Sequence, residues 1–189
     1  MIAEALLGGF DSAPIASSRV FRAALEGMAR PGTIWTVEGA VPPALVSVAA
    51  GALILTLCDG TTPLHLGASL DFQVVRDWIT FHTGAPLVSA EAAQFALGTW
   101  ADLQPVTRFA VGLPDYPDRS ATLIVAMPHL TAAGPRLTGP GIATDAHLTL
   151  PETAAFQANR MLFPLGFDTF LTCGNRLAGL PRTTHVEAV

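Results

Sequence analysis

A chain of 189 residues that is half apolar, only 13% charged and formally −5 at pH 7 can bury one core and is too hydrophobic to stay disordered. Its acidic balance gives no basic field for phosphate-backbone binding, so nucleic acid is excluded as a partner. All ten basic residues are arginine; with no lysine, Schiff-base aldolases, pyridoxal-phosphate enzymes and Walker-type nucleotide binders are excluded as well.

The start of the chain has no basic region and its apolar run is interrupted by Glu4, so no secretory signal is expected. The first element is a helix over 17–28, capped by Ser17 or Ser18, with Val20, Phe21, Ala24, Leu25 and Met28 on one inward face. Arg22 borders that face, as a rim arginine or an anion ligand. Arg30-Pro31-Gly32 ends the helix, and a short strand over 33–37 follows. Pro42-Pro43 opens a small-residue helix through Ala50, and 53–57 reads as a buried strand. The apolar stretch 44–58 is too short to span a membrane. Asp59-Gly60 is a turn from which 62–66 returns as the antiparallel arm of a hairpin.

A helix over 71–77 turns Phe72, Val75 and Ile79 inward, and 78–82 is its last turn or the next strand. The segment 89–94 is a short helix, 95–97 a short strand, and Tyr116-Pro117-Asp118 a turn. ATLIVAM, 121–127, is the clearest strand, apolar enough to be buried on both faces. Strands over 136–142 and 147–150 flank a glycine-rich bend. Pro151 and Glu152 suit the start of a helix that runs to Met161. Residues 167–172 form another buried strand, before a polar, irregular C-terminal end. Helices alternating with buried strands predict a single α/β layered domain over 1–189, with a mixed sheet because of the hairpins.

Cys58 and Cys173 lie apart, outside any CxxC or His-rich cluster, so they read as thiols of a reducing cytosol with no metal site. Asp59 is a turn residue or a strand-end catalytic acid, and the histidines are isolated in sequence. Two segments could hold an anion. In Leu137-Thr138-Gly139-Pro140-Gly141-Ile142 two glycines bring backbone N–H groups close and Thr138 adds a hydroxyl, although a tight turn uses the same residues. In Leu180-Pro181-Arg182-Thr183-Thr184-His185-Val186-Glu187 an arginine fork stands beside two hydroxyls, although a solvated tail reads the same way.

Six motifs occur in order: FRAALEGMARPG (21–32), FHTGAP (81–86), ATLI (121–124), RLTGPGI (136–142), NRMLFPLGFD (159–168) and LPRTT (180–184). With them, over nearly its whole length, the chain resembles the H subunits of the bacterial carbon–phosphorus lyase system for organic phosphonate catabolism. That resemblance implies a three-layer αβα sandwich with a mixed central sheet, like that of pyridoxal-phosphate-dependent transferases but without the cofactor. It implies a cytoplasmic homodimer that joins the G, I and J subunits in a core complex. The complex displaces adenine from ATP with a phosphonate, giving a ribose 1-alkylphosphonate 5-triphosphate, and the chain is an accessory subunit inactive alone. It favours an anion-binding corner of Thr138, Gly139, Gly141, Arg182, Thr183 and Thr184. An independent phosphate- or nucleotide-binding transferase and a homodimeric α/β scaffold stay open as alternatives. One departure stands before ATLI, where YPDRS sets Arg119 directly after Asp118 in place of an acidic proline turn.

Overall fold

Thr122–Ala126 (β6), from the ATLIVAM run, lies in the interior of a six-stranded sheet. The structure is a computed structural model and describes residues 6–187; Glu4, on which the secretory-signal expectation rests, lies outside them. The other strands are β1 (Trp35–Thr36), β2 (Leu64–Leu66), β3 (Phe95–Thr99), β9 (Asp168–Cys173) and β10 (Arg176–Leu180), in the order β1-β10-β9-β6-β3-β2. Strands β2, β3, β6 and β9 run parallel, while β10 pairs antiparallel with β9 and β1, so the sheet is mixed.

Alternate side chains along these strands enter two separate cores, as the two-residue period of a strand requires. Leu97, Ile124, Phe170 and Leu177 face one core, and Ala96, Leu123, Val125, Leu171 and Ala178 the other. The first is covered by α1 (Ala13–Ala29), α2 (Val48–Leu57) and α3 (Gln73–Thr83). The second is covered by α4 (Thr153–Arg160) and a small sheet of β7 (Arg136–Thr138), β8 (Ala146–His147) and β11 (His185–Val186), which contribute Phe156, Leu137 and Val186. A two-stranded ribbon, β4 (Val111–Leu113) with β5 (Tyr116–Ser120), stands beside them. The expected mixed α/β class is therefore borne out, with four α-helices among the described residues.

Several expected elements are corrected. Residues 53–57 are the second half of helix α2, not a strand. Its N-cap is Ser47, whose hydroxyl accepts the Ala50 N–H at 3.2 Å, and Pro42-Pro43 lies ahead of it in non-helical chain. Because α2 is enclosed by α1, α3 and the sheet, it is apolar all round and carries no helical period, which makes a buried helix look like a buried strand. Burial of Leu53 and Ile54 contributes about 2 kcal/mol each. Residues 64–66 consequently have no antiparallel arm to pair with and form a sheet edge parallel to β3.

Helix α1 begins at Ala13 rather than Ser17, and Ser18 donates to Ile15 O at 2.9 Å instead of capping. Its buried stripe is Val20, Ala23, Ala24 and Gly27, whereas Phe21 and Leu25 face outward. The helix is rotated so that Gly27 meets Gly179 of β10 backbone to backbone; a Cβ on Gly179 would lie 2.6 Å from Gly27 C. Helix α3 includes 78–82, while Phe72 precedes it as the N-cap and is exposed. Residues 116–118 belong to β5; the turn is Pro114-Asp115, between paired Leu113 and Tyr116. Near the C-terminus, Gly174 at φ +57° turns β9 back into β10, so 176–180 is ordered strand rather than irregular chain.

Candidate functional site

Pairing of β7 with β11 sets His185 opposite Thr138 and Val186 opposite Leu137. The bend that follows β7 carries Gly139 at φ +125° and Gly141 at φ +81°, a region only glycine enters without strain. A Cβ on Gly139 would come within 3.2 Å of Thr183 O, and one on Gly141 within 1.9 Å of Ala29 O at the end of α1. The bend is thus wedged between the C-terminal segment and the end of α1. Thr184 is buried, its N–H donates to Pro181 O at 3.0 Å, and its hydroxyl has no partner. The fold therefore gathers the bend and the two threonines into one corner.

Arg182 faces elsewhere. Its Nε and Nη2 donate to the two carboxylate oxygens of Asp168, at 3.2 and 2.6 Å, and Nη2 also donates to the Ser120 hydroxyl. Nη1 donates to Pro117 O at 2.9 Å and to Pro164 O at 3.5 Å. All five donors of the guanidinium are engaged, the side chain is only 11% exposed, and its own N–H adds a 2.8 Å bond to Asp168. As folded, Arg182 joins β9 to β5 and the loop after α4.

The cation beside His185 is Arg160, at the end of α4. Its Nη2 lies 3.1 Å from His185 Nε2, its guanidinium covers the Phe163 ring at 4.9 Å, and its Nε is buried without a partner. Guanidinium nitrogens only donate, so in this contact His185 Nε2 is the acceptor. Sequence reasoning passed over Arg160 as one of ten scattered arginines; its place in NRMLFPLGFD was the available signal. Asn159 in the same motif fixes the loop, its amide donating to Phe167 O and accepting Phe167 N–H, both at 2.9 Å.

The parallel strands present a second feature at their carboxyl ends, where α/β sheets hold ligands. A crevice of about 690 Å³ opens there beyond β3 and β6, lined in part by Trp100, Met127, His129 and Thr149. Trp100 stacks on Phe156 at 5.4 Å between ring centres, and its Nε1–H donates to Glu152 at 2.9 Å. Behind it, Asp102 ties the end of β3 to the loop after β2. Partial burial pushes this carboxyl up, but hydroxyl and N–H donors from Ser69 and Thr99 outweigh that and hold it below its ordinary value.

Asp59 follows a helix, not a strand, and its Oδ1 accepts from Thr61 N–H, Thr61 Oγ1 and Thr62 Oγ1 at 2.8, 2.7 and 2.9 Å. Those bonds lower its pKa and commit it to the turn. Among the described residues, no group of three or more His, Cys, Asp or Glu side chains could hold a metal, and no helix is long and apolar enough to cross a membrane.

Residues 8–187 match the family model described as bacterial phosphonate metabolism protein (PhnH). The chain is 37% identical over 189 residues to the alpha-D-ribose 1-methylphosphonate 5-triphosphate synthase subunit PhnH of Rhizobium meliloti (strain 1021), covering 95% of this chain and 94% of that protein. It is 29% identical over 181 residues to HtxG of Stutzerimonas stutzeri, a candidate C-P lyase subunit, covering 88% and 84% respectively. With a family match over nearly all its length, the chain belongs to the PhnH family of bacterial phosphonate metabolism proteins.

Proposed function

We propose that the chain is a subunit of the carbon–phosphorus lyase core complex and contributes to ribose 1-methylphosphonate 5-triphosphate synthase. In that reaction a phosphonate oxygen bonds to ribose C1 of ATP as the bond from C1 to adenine breaks. The observation that carries this reading is the 37% identity to the synthase subunit, spread over nearly the full length of both chains. The ring nitrogens of His65, His82 and His147 meet backbone carbonyls and that of His185 meets Arg160, rather than a nucleophilic side chain, which supports an accessory role over turnover by the isolated chain.

The finer parts of this reading have their own supports. Outward-facing Phe21 and Leu25 on α1, and Met161, Leu162 and Phe163 after α4, form apolar surface of the kind that meets partners. They support docking to further protein subunits, and we propose a second copy of the chain and the G, I and J subunits, in the cytoplasm, as those partners. Helices on one side of the sheet, with α4 and the small sheet on the other, support a three-layer sandwich like that of pyridoxal-phosphate transferases; the absence of lysine supports function without that cofactor. The corner of Thr138, Gly139, Gly141, Thr183 and Thr184 is the proposed phosphate or phosphonate contact. Its support is the glycine bend and the unpartnered Thr184 hydroxyl. Arg182 joins it only by releasing Asp168.

The test is synthase turnover by the otherwise complete complex with and without this chain. Loss of product without it, and none from the chain alone, is expected. Adenine release by the isolated chain with ATP and a phosphonate would instead support the independent transferase. Full turnover without the chain defeats the proposal.

A further inference from the structure

The glycine bend and the hydroxyls between β7 and β11 carry no charge, so an anion held there needs a cation. Arg182 is spent on Asp168, Ser120 and two carbonyls. Arg160 is not. It belongs to none of the ion pairs among the described residues, and its side-chain acceptor is an imidazole nitrogen, His185 Nε2, at 3.1 Å. Its Nε is buried without a partner. The His185 ring also reaches the bend, with Cδ2 3.6 Å from where a Cβ on Gly139 would lie. The imidazole therefore stands between the guanidinium and the glycine backbone. Next to it in the chain, Thr184 is 3% exposed and its hydroxyl has no partner either. Two orphaned polar groups flanking one exposed imidazole mark a place short of acceptors. The carboxylates bordering β8 and β11 do not fill it: Glu187 accepts from Arg136, and Asp145 lies between Arg136 and His147.

We infer that Arg160 is the cation of this corner, and that His185 occupies its fork until a tetrahedral oxyanion of the phosphate or phosphonate class displaces the ring. The inference rests on the proposed reading of the corner as an anion contact and adds the residue that grips the anion. A guanidinium fork bonds two oxygens of such an anion at once, a match that one imidazole nitrogen does not offer. Phe163 under the guanidinium holds it in place, 4.9 Å from the ring centre, while the exposed His185 ring is free to turn into solvent without opening the core.

The test uses the isolated full-length chain at constant ionic strength. Methylphosphonate and tripolyphosphate are separate probes, so that a phosphonate and a nucleotide polyphosphate are told apart as sources. Binding is read by calorimetry and by the Arg160 Nε–H resonance of isotope-labelled protein. Saturable binding of at least one probe is expected, with the Arg160 and His185 ring resonances moving at the same midpoint. Arg160→Ala should weaken that probe about tenfold or more, in line with loss of charge-assisted hydrogen bonds, and Arg160→Lys should recover part of the loss. Arg119→Ala, which removes an equal charge from the β4–β5 ribbon, should bind as wild type does. The wild-type resonances keep the test decisive if Arg160→Ala is poorly folded. Binding that survives Arg160→Ala, or that leaves the Arg160 resonance unmoved, overturns the inference and leaves the anion reading of the corner standing. A wild-type chain saturated by neither probe overturns both.

Discussion

Arg182 and Asp168 face each other as fork and carboxylate, with Nη2 2.6 Å from Oδ2 and the backbone N–H of Arg182 on Oδ1 at 2.8 Å. Both side chains are largely shielded, so removing the arginine strands a carboxylate and leaves the Ser120 hydroxyl and two carbonyls short of donors. Arg182→Ala is expected to cost about 3 kcal/mol in urea unfolding. Arg182→Lys should recover only part of this, because an ammonium cannot reproduce a bidentate fork. Complex turnover measured below the variant's melting point should then stay near wild type. A selective loss of turnover at full stability would assign Arg182 to the anion.

Gly141→Ala sets a Cβ 1.9 Å from Ala29 O at a φ of +81°. The bend must shift or the end of α1 must yield, at a cost of about 2 kcal/mol or more. Gly60→Ala is the matched control, since its Cβ would meet nothing closer than Gly84 O at 3.8 Å and its φ is not positive. Thermal melts of the two variants should therefore separate widely, with Gly60→Ala close to wild type.

Asp102 has a folded-state pKa below its ordinary value, so it favours the folded state whenever it is ionised. Its contribution is fully present above the unfolded carboxyl value of about 3.9 and drains away as pH falls through the lower folded value. Asp102→Asn should lower stability near neutrality and flatten the acid limb of stability below about pH 4. Urea midpoints measured from neutral to acid pH check both effects; an unchanged acid limb would remove Asp102 from the account.

The two thiols should react in sequence. Burial, then the nearby Asp59 charge, pushes the Cys58 thiol up to about 12, whereas Cys173 is partly exposed beside Pro128 O. Native protein treated with a thiol-disulfide reagent at pH 8 is expected to label Cys173 alone, with Cys58 joining only in denaturant. Cys173→Ser should then leave the native protein unlabelled.

The sequence made the central strand legible because ATLIVAM is apolar at every position that two cores must share, and β6 lies between them. The bend at 139–141 was legible because glycines flanking a proline mark a turn whatever surrounds it. Helix α2 was not, since an element buried on all sides loses the period that distinguishes helix from strand. The inward face of α1 was misread for a related reason. Hydrophobicity favours Phe21 and Leu25, but close approach to β10 selects Ala23 and Gly27. At the anion corner the residue types were visible, but the ties that engage Arg182 come from Ser120 and Asp168, 62 and 14 positions away in the chain, where no local pattern reports them.

The contact between Gly27 and Gly179 bears on how the molecule meets another. Two backbones touching without side chains between them set α1 directly against the sheet, with no space for a Cβ on Gly179. Phe21 and Leu25 are carried on the outside of that helix. A partner reaching them meets side chains on a helix already formed and packed, so the association need not order that backbone. Widening the contact with Gly27→Ala, a Cβ 3.1 Å from Gly179 N, would therefore register as faster release of the partner even where the isolated chain remains folded.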